Sequence, residues 1–360
     1  MTLTIGVDAR AAAEVPAGRG RVVRELLSAW NEPGATGDAR FVLYAREPWG
    51  DLDPARFQWR LIDLPDPAWH LAAAARASRS TDVFLSTNSY LTAWFCTKPT
   101  AVIVYDLVPF VEGGQAQSRA ATIEKATIRP ALRRAKALSC ISEATQADLE
   151  RLFPHTRRTA TTIPLAADPS FAAPVAAPGH PDLGKPYVLA VGTLEPRKNL
   201  ERLVEAWGKL PESLRASHDL ALVGPRGWDD SDILRTAHEG GAKLLGRVSE
   251  DELRALYAGA AAFAYPSLYE GFGLPILEAM AAGAPVVTSD RSSLPEVAGD
   301  AAVLVDPTDT AAIASAIESL LTDAPLAERL RAAGRARAAE FSWERTARET
   351  LGLLRGIARP

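Results

Sequence analysis

Pro266-Ser-Leu-Tyr-Glu270-Gly-Phe-Gly-Leu-Pro275-Ile-Leu-Glu278-Ala-Met-Ala-Ala-Gly283-Ala-Pro-Val-Val-Thr288 reads as a loop, a glycine-rich turn, a helix and the strand that follows. Pro275 suits the first helical position, where its missing N–H costs nothing, and residues 276–282 continue the helix until Gly283 stops it. The amides of Gly271, Phe272, Gly273 and Leu274 are then expected at a helix start, where the macrodipole favours an anion such as a diphosphate. Glu270 precedes the turn and Glu278 lies about one helical turn inside, so two carboxylates flank that place and can accept hydrogen bonds from sugar hydroxyls. The stretch therefore predicts a sugar-nucleotide site.

Outward from this stretch, apolar runs at 187–191, 220–223, 243–245, 261–265, 285–287 and 302–305 alternate with helical patterns. A second series occupies the first half, with runs at 3–7, 41–44, 83–85, 101–104 and 137–140 and helices near 21–30, 116–132 and 144–152. Such alternation predicts two doubly wound parallel sheets covered by helices. Between them, residues 164–186 are rich in proline and small residues and read as a linker. Ligands in open sheets of this kind bind beyond the carboxyl ends of the strands, which here places them in a cleft between two domains. Ser249 with Glu252 forms a capping-box pattern, Ser293 with Glu296 a second one, and Ser142 reads as a helix N-cap.

A length of 360 residues fits two domains of ordinary size, and the net charge of −4 argues against a general nucleic-acid binder. Residues 1–170 carry 20 Lys and Arg against 18 Asp and Glu, whereas the remainder carries 20 against 26. In the more basic half, Arg129, Arg133, Arg134 and Lys136, followed by Arg151, Arg157 and Arg158, read either as a solvated face or as a peripheral contact with anionic lipid or a polyprenyl-diphosphate acceptor. No apolar run is long enough for a membrane span and no signal peptide is visible, so a cytoplasmic protein is expected. Cys96 and Cys140 read as packing residues, and the five histidines stand in no metal-ligand or triad spacing.

The Glu270 and Glu278 pair, followed by Ala279-Met-Ala-Ala-Gly-Ala-Pro-Val-Val287, resembles the retaining glycosyltransferases of family 4, and the likeness runs from Val7-Asp-Ala-Arg10 to Asp306-Pro307. It implies the GT-B fold: an acceptor-side Rossmann-like domain over 1–170, a nucleotide-sugar domain over 171–342, and a last helix over 343–360 that returns to the first. Its activity is transfer of a hexose from a nucleotide diphosphate sugar to a hydroxyl of a glycan or lipid-linked acceptor. No cofactor or metal is expected, since Arg197, Lys198, loop amides and the helix start would meet the diphosphate charge. The Thr193-Leu-Glu-Pro-Arg-Lys-Asn199 variant is similar to bacterial mannosyltransferases, which points to GDP-mannose.

The same resemblance assigns further residues. Glu270 would hold sugar hydroxyls and Glu278 the ribose. Arg197 and Lys198 would stabilise the leaving diphosphate as charge builds on it. Gly18 and Gly20, ahead of the first long helix, match a loop that approaches phosphates closely. Tyr105 stands where the family usually has a histidine at the reaction centre, with Asp106 beside it to orient the loop or the acceptor, or to cap. Gly246, Arg247 and Val248 match a segment that reads the base through its main chain, and Arg226, on another cleft-side loop after a strand, is expected to reach the donor. Two other classes share the architecture: nucleotide-sugar epimerases or hydrolases, and non-catalytic sugar-nucleotide binders.

Overall fold

Among the described residues the strands are all paired in parallel, in two sheets of seven and six. The computed structural model describes residues 2–15, 18–111, 119–175, 180 and 182–358. The first sheet contains β1 (Thr4–Asp8), β2 (Arg40–Ala45), β3 (Phe57–Leu61), β4 (Val83–Ser86), β5 (Thr100–Val104), β6 (Ala137–Cys140) and β7 (Ala160–Thr162), in the order β3-β2-β1-β4-β5-β6-β7. The second contains β8 (Tyr187–Val191), β9 (Asp219–Val223), β10 (Lys243–Gly246), β11 (Ala262–Tyr265), β12 (Val286–Ser289) and β13 (Ala302–Val305), in the order β10-β9-β8-β11-β12-β13. Each sheet reverses direction at one switch point, between β1 and β4 and between β8 and β11. Parallel sheets need crossover helices on both faces, which is why the central strands β4, β5, β6, β11 and β12 are wholly buried.

Two strands exceed the sequence expectation. The pattern of apolar runs gives five strands in the first half, and the structure adds β3 and β7 at the two edges of that sheet. Both are largely solvent-facing, with the sequences Phe-Gln-Trp-Arg-Leu and Ala-Thr-Thr, so they lack the continuous apolar run of a central strand.

The described residues divide into two compact units, one comprising those within 1–111, 116–165 and 342–360, the other those within 166–341. In the first, the terminal helix Trp343–Ala358 packs on the helix Arg19–Asn31 and on β4, β5 and β6. Trp30 Nε1 donates to Ala347 O at 2.9 Å and Arg355 to Thr36 O at 2.8 Å, which fixes both ends of that helix. Cys96 and Cys140 are free thiols buried in this unit. In the second, β8, β9, β11 and β12 pack with the helices Leu200–Gly208 and Thr310–Thr322 around Trp207, Leu222 and Ile317.

Capping follows the sequence in part. Ser142 Oγ accepts from Thr145 N at 3.0 Å, and Ser249 with Glu252 forms the full reciprocal box. The expectation for Ser293 and Glu296 is corrected: Ser293 makes no side-chain cap, and its hydroxyl instead donates to Glu270 O at 2.9 Å and Phe272 O at 2.8 Å. The helix after Glu270 runs Leu274–Ala282, so Pro275 is its second residue rather than its first. Among the described residues no helix is long and apolar enough to cross a membrane.

Candidate active site

The switch point of the second sheet brings the loop after β8 against the loop after β11. The first of these passes Glu195, makes a short 3-10 turn over Pro196–Lys198 and ends at Asn199, whose left-handed φ of 59° is tolerated by asparagine. Asn199 is buried, and its Nδ2 donates to Pro266 O at 2.9 Å and Pro307 O at 2.7 Å, tying this loop to the ends of β11 and β13. Leu268 N donates to Arg197 O at 2.9 Å. The two loops are thereby locked together, with Arg197 and Lys198 facing Glu270.

Glu270 is 8% exposed and surrounded by donors. Lys198 Nζ lies 2.7 Å from its Oε1, Tyr265 Oη donates to the same oxygen at 2.8 Å, and Arg197 reaches Oε2 at 2.6 Å. Arg197 also bonds Glu195 and donates to Tyr269 O at 2.7 Å. Burial alone would raise the Glu270 pKa, but Arg197 and Lys198 outweigh it and hold the carboxyl at about 2. Lys198 moves down from the ordinary lysine value, because burial outweighs the attraction of Glu270. The result is a desolvated cluster of two cations and two carboxylates in which each charge has a fixed partner. Such a cluster suits reactions that develop charge, since its dipoles are oriented before the reaction begins.

The turn after Glu270 is similarly fixed. Gly273 adopts φ 111°, and a Cβ there would lie 2.8 Å from Leu294 Cδ2, so glycine is required both for conformation and for space. Phe272 is buried edge-on against Phe341, and its carbonyl accepts from Ser293 Oγ at 2.8 Å. Gly271 and Leu274 complete the turn. Glu278 is 6% exposed within the helix, and its Oε2 accepts from the buried Tyr257 hydroxyl at 2.9 Å. Gly246 ends β10, with Arg247 and Val248 following before the capped helix. Arg226 grips both oxygens of Asp230 at 2.8 and 2.9 Å, so its guanidinium is already committed to a carboxylate.

In the first unit, Gly18 is the N-cap of the helix Arg19–Asn31 with φ 54°. A Cβ on Gly20 would fall 1.8 Å from Val15 O, so this glycine is needed for the approach of the chain to itself. Pro16 and Ala17 of the same loop lie outside the described residues. Asp106 Oδ1 accepts from Val108 N at 3.1 Å and caps the short turn Val108–Phe110. Tyr105 ends up buried under the Arg19 guanidinium, 5.2 Å from its ring centre. The structure therefore gathers Arg197, Lys198 and Glu270 directly, and leaves Tyr105, Asp106, Gly18 and Gly20 in the other unit.

The sequence reading passed over Tyr265, Asn199 and Glu195, which complete the cluster. Tyr265 ends an apolar run and reads as strand, while Asn199 and Glu195 flank the cations that drew attention. It also passed over two Asp-x-Asp spacings. In one, Asp53 accepts from Ala55 N and Arg56 Nε, both at 2.9 Å; in the other, Asp230 is spent on Arg226 and Asp232 on Arg235.

Two doubly wound parallel sheets with a charge cluster at a switch point form the fold of the GT-B glycosyltransferases. It superposes on a sucrose-phosphate synthase from Thermosynechococcus elongatus with a TM-score of 0.78 at 22% identity over 98% of each chain. HepE from Anabaena, in complex with UDP and glucose, gives 0.75 at 16% identity over 99% of this chain and 100% of that one. The family model "Glycosyl transferases group 1" matches residues 177–337, and the O-antigen chain mannosyltransferase B of Escherichia coli is 40% identical over 314 residues, 83% of this chain and 77% of that protein. The chain belongs to the group 1 glycosyltransferases and is a glycosyltransferase enzyme.

Proposed function

We propose that the chain is a retaining family 4 mannosyltransferase that moves mannose from GDP-mannose to an acceptor hydroxyl in polysaccharide assembly. The observation that carries this reading is the convergence of Lys198, Arg197 and Glu270 at the switch point, with Glu278 on the adjoining helix. The name and extent of the Escherichia coli relative support mannose as the sugar. Glu270 orients sugar hydroxyls against the reacting centre, and Lys198 opposes the charge that grows on the leaving diphosphate. Retention without an evident protein nucleophile implies same-face attack: the acceptor oxygen bonds to the anomeric carbon as the bond to phosphate breaks, and the departing phosphate oxygen takes the acceptor proton.

Incubating the purified protein with GDP-mannose, UDP-glucose and a panel of mannosides should yield transfer from GDP-mannose alone, an α-linked product by NMR, and a rate unchanged by chelator. Transfer only from a different nucleotide sugar, a β-linked product or a metal requirement would each overturn the corresponding part.

Peripheral membrane contact through the basic face belongs to the same reading. Arg129, Arg133, Arg134, Lys136, Arg151, Arg157 and Arg158 are all exposed; Arg134 also donates to Cys96 O and Arg151 pairs with Asp148. Sedimentation with phosphatidylglycerol vesicles that falls as salt rises is the expected result; no sedimentation at low salt removes the membrane from the proposal.

A further inference from the structure

Four aromatic rings of the second unit form one continuous row. Phe171 meets Tyr257 edge-on at 5.6 Å between ring centres, Tyr257 meets Phe263 edge-on at 5.3 Å, and Phe263 stacks on Tyr265 at 5.8 Å. All four are buried. The row carries two hydroxyls, and each ends on one of the two carboxylates that flank the glycine turn. Tyr257 Oη donates to Glu278 Oε2 at 2.9 Å, and Tyr265 Oη donates to Glu270 Oε1 at 2.8 Å while accepting from Lys198 Nζ at 2.7 Å.

Packing alone does not call for tyrosine at these two places. A buried hydroxyl needs a partner to offset the loss of water, and phenylalanine would fill the same space without that requirement. What the hydroxyl adds is position. Rotation of a tyrosine ring about its Cβ–Cγ axis leaves Oη where it is, so the oxygen moves only if the ring tilts, and close-packed neighbours oppose a tilt. A glutamate side chain has three torsions of its own, and a donor at a fixed point removes freedom that ligand binding would otherwise have to remove. Burial also pushes the Tyr265 hydroxyl well above its ordinary pKa, so it keeps the proton that it donates to Glu270.

The outer end of the row lies in the stretch that reads as a linker. Phe171 belongs to the short turn Pro169–Ala172, which Asp168 caps by accepting from Ser170 N at 2.8 Å. That turn packs on the helix Leu274–Ala282, the one that bears Glu278. A connection of prolines and small residues needs no buried ring, and this ring is set against Tyr257. We infer that the row is a positioning device for the donor site: Phe171 holds Tyr257 so that its hydroxyl aims Glu278, and Tyr265, steadied by Phe263, aims Glu270 and Lys198. What the two carboxylates hold rests on the proposed transferase reading; the row and its hydroxyl contacts do not. Phe171 and Tyr265 thereby become positioning residues, although the motif around Glu270 marks neither.

The test reads nucleotide affinity by calorimetry, with GDP and UDP measured side by side so that the identity of the base does not decide the outcome. Tyr257→Phe should weaken the nucleotide about 3- to 10-fold, as for the loss of one hydrogen bond, and Phe171→Leu about threefold. The combination is decisive. In the Tyr257→Phe background, Phe171→Leu should cost less than about 1.5-fold, because no hydroxyl is left to misplace. A ring that serves only packing would weaken the nucleotide by the same factor in both backgrounds; that result, or full affinity in Phe171→Leu, overturns the inference. At the other end of the row, Tyr265→Phe should lower kcat about tenfold with nucleotide affinity within about twofold, as expected when the support of a charge-stabilising group is lost. A kcat within twofold of the parent overturns that half. Failure of the reading of Glu278 looks different: Glu278→Ala itself would then leave nucleotide affinity unchanged. If Glu278→Ala weakens the nucleotide while Phe171→Leu is silent, the positioning row alone is lost.

Discussion

Replacing Lys198 with alanine is expected to lower kcat by about 10²-fold or more, the loss typical of removing one preorganised charge-stabilising group, with a smaller change in donor KM. Its Nζ lies 2.7 Å from both Glu270 Oε1 and Tyr265 Oη, and the ammonium sits 5.0 Å from the Tyr265 ring centre. The stem packs on the backbone, as the 3.2 Å from an added Gly192 Cβ to Lys198 Cε shows. In this setting the cation is desolvated and cannot drift, so its interaction with a developing anion is not spent on reorganising water. Arginine should not restore the rate, because its planar fork cannot occupy the place of a compact ammonium between Tyr265 and Glu270. Steady-state kinetics at varied GDP-mannose decide the matter, and activity within a factor of two of the parent would remove Lys198 from the reaction.

The contrast between what was legible in the sequence and what was not follows from which interactions are local. In the second sheet β8, β9, β11 and β12 show as apolar runs because central parallel strands are buried on both faces, and the edges β10 and β13 show because leucine and valine stand on them although they are largely not buried. The edges β3 and β7 do not, because solvent on them permits glutamine, arginine and threonine. Glu270, Lys198 and Arg197 were visible through a motif, yet the motif says nothing about what each side chain touches. Arg197 was expected to grip a diphosphate, and in the fold it holds Glu195, Tyr269 O and Glu270. Ser293 has the spacing of a capping residue, and tertiary structure redirects its hydroxyl to the carbonyls of the Glu270 turn more than twenty residues back in sequence. Local propensity loses there because two buried carbonyls need a donor and this hydroxyl is the one placed to supply it.

Glu270→Ala should abolish measurable transfer and also destabilise the fold by about 3–5 kcal/mol, because it leaves Arg197 and Lys198 buried without the carboxylate that both face. Glu270→Gln separates the two effects: an amide oxygen can still accept from Lys198 and Tyr265, so much of the stability should return while turnover stays low. The pH dependence carries the sign. A carboxyl held at about 2 instead of the ordinary 4.5 contributes stability that is fully present above 4.5 and is lost as pH falls towards 2. Denaturation of the parent between those limits should show this loss, and Glu270→Gln should flatten it. Glu278 should behave differently, since its proposed contact with ribose is made in the ground state and the transition state alike. Glu278→Ala is therefore expected to raise donor KM and weaken GDP with less effect on kcat. Tyr257 supports that carboxylate at 2.9 Å, so Tyr257→Phe should shift GDP affinity in the same direction and by less. Equal loss of kcat at unchanged donor affinity in the Glu270 and Glu278 variants would show that the two carboxylates act as one unit, and the division of labour between sugar and nucleotide would have to be abandoned.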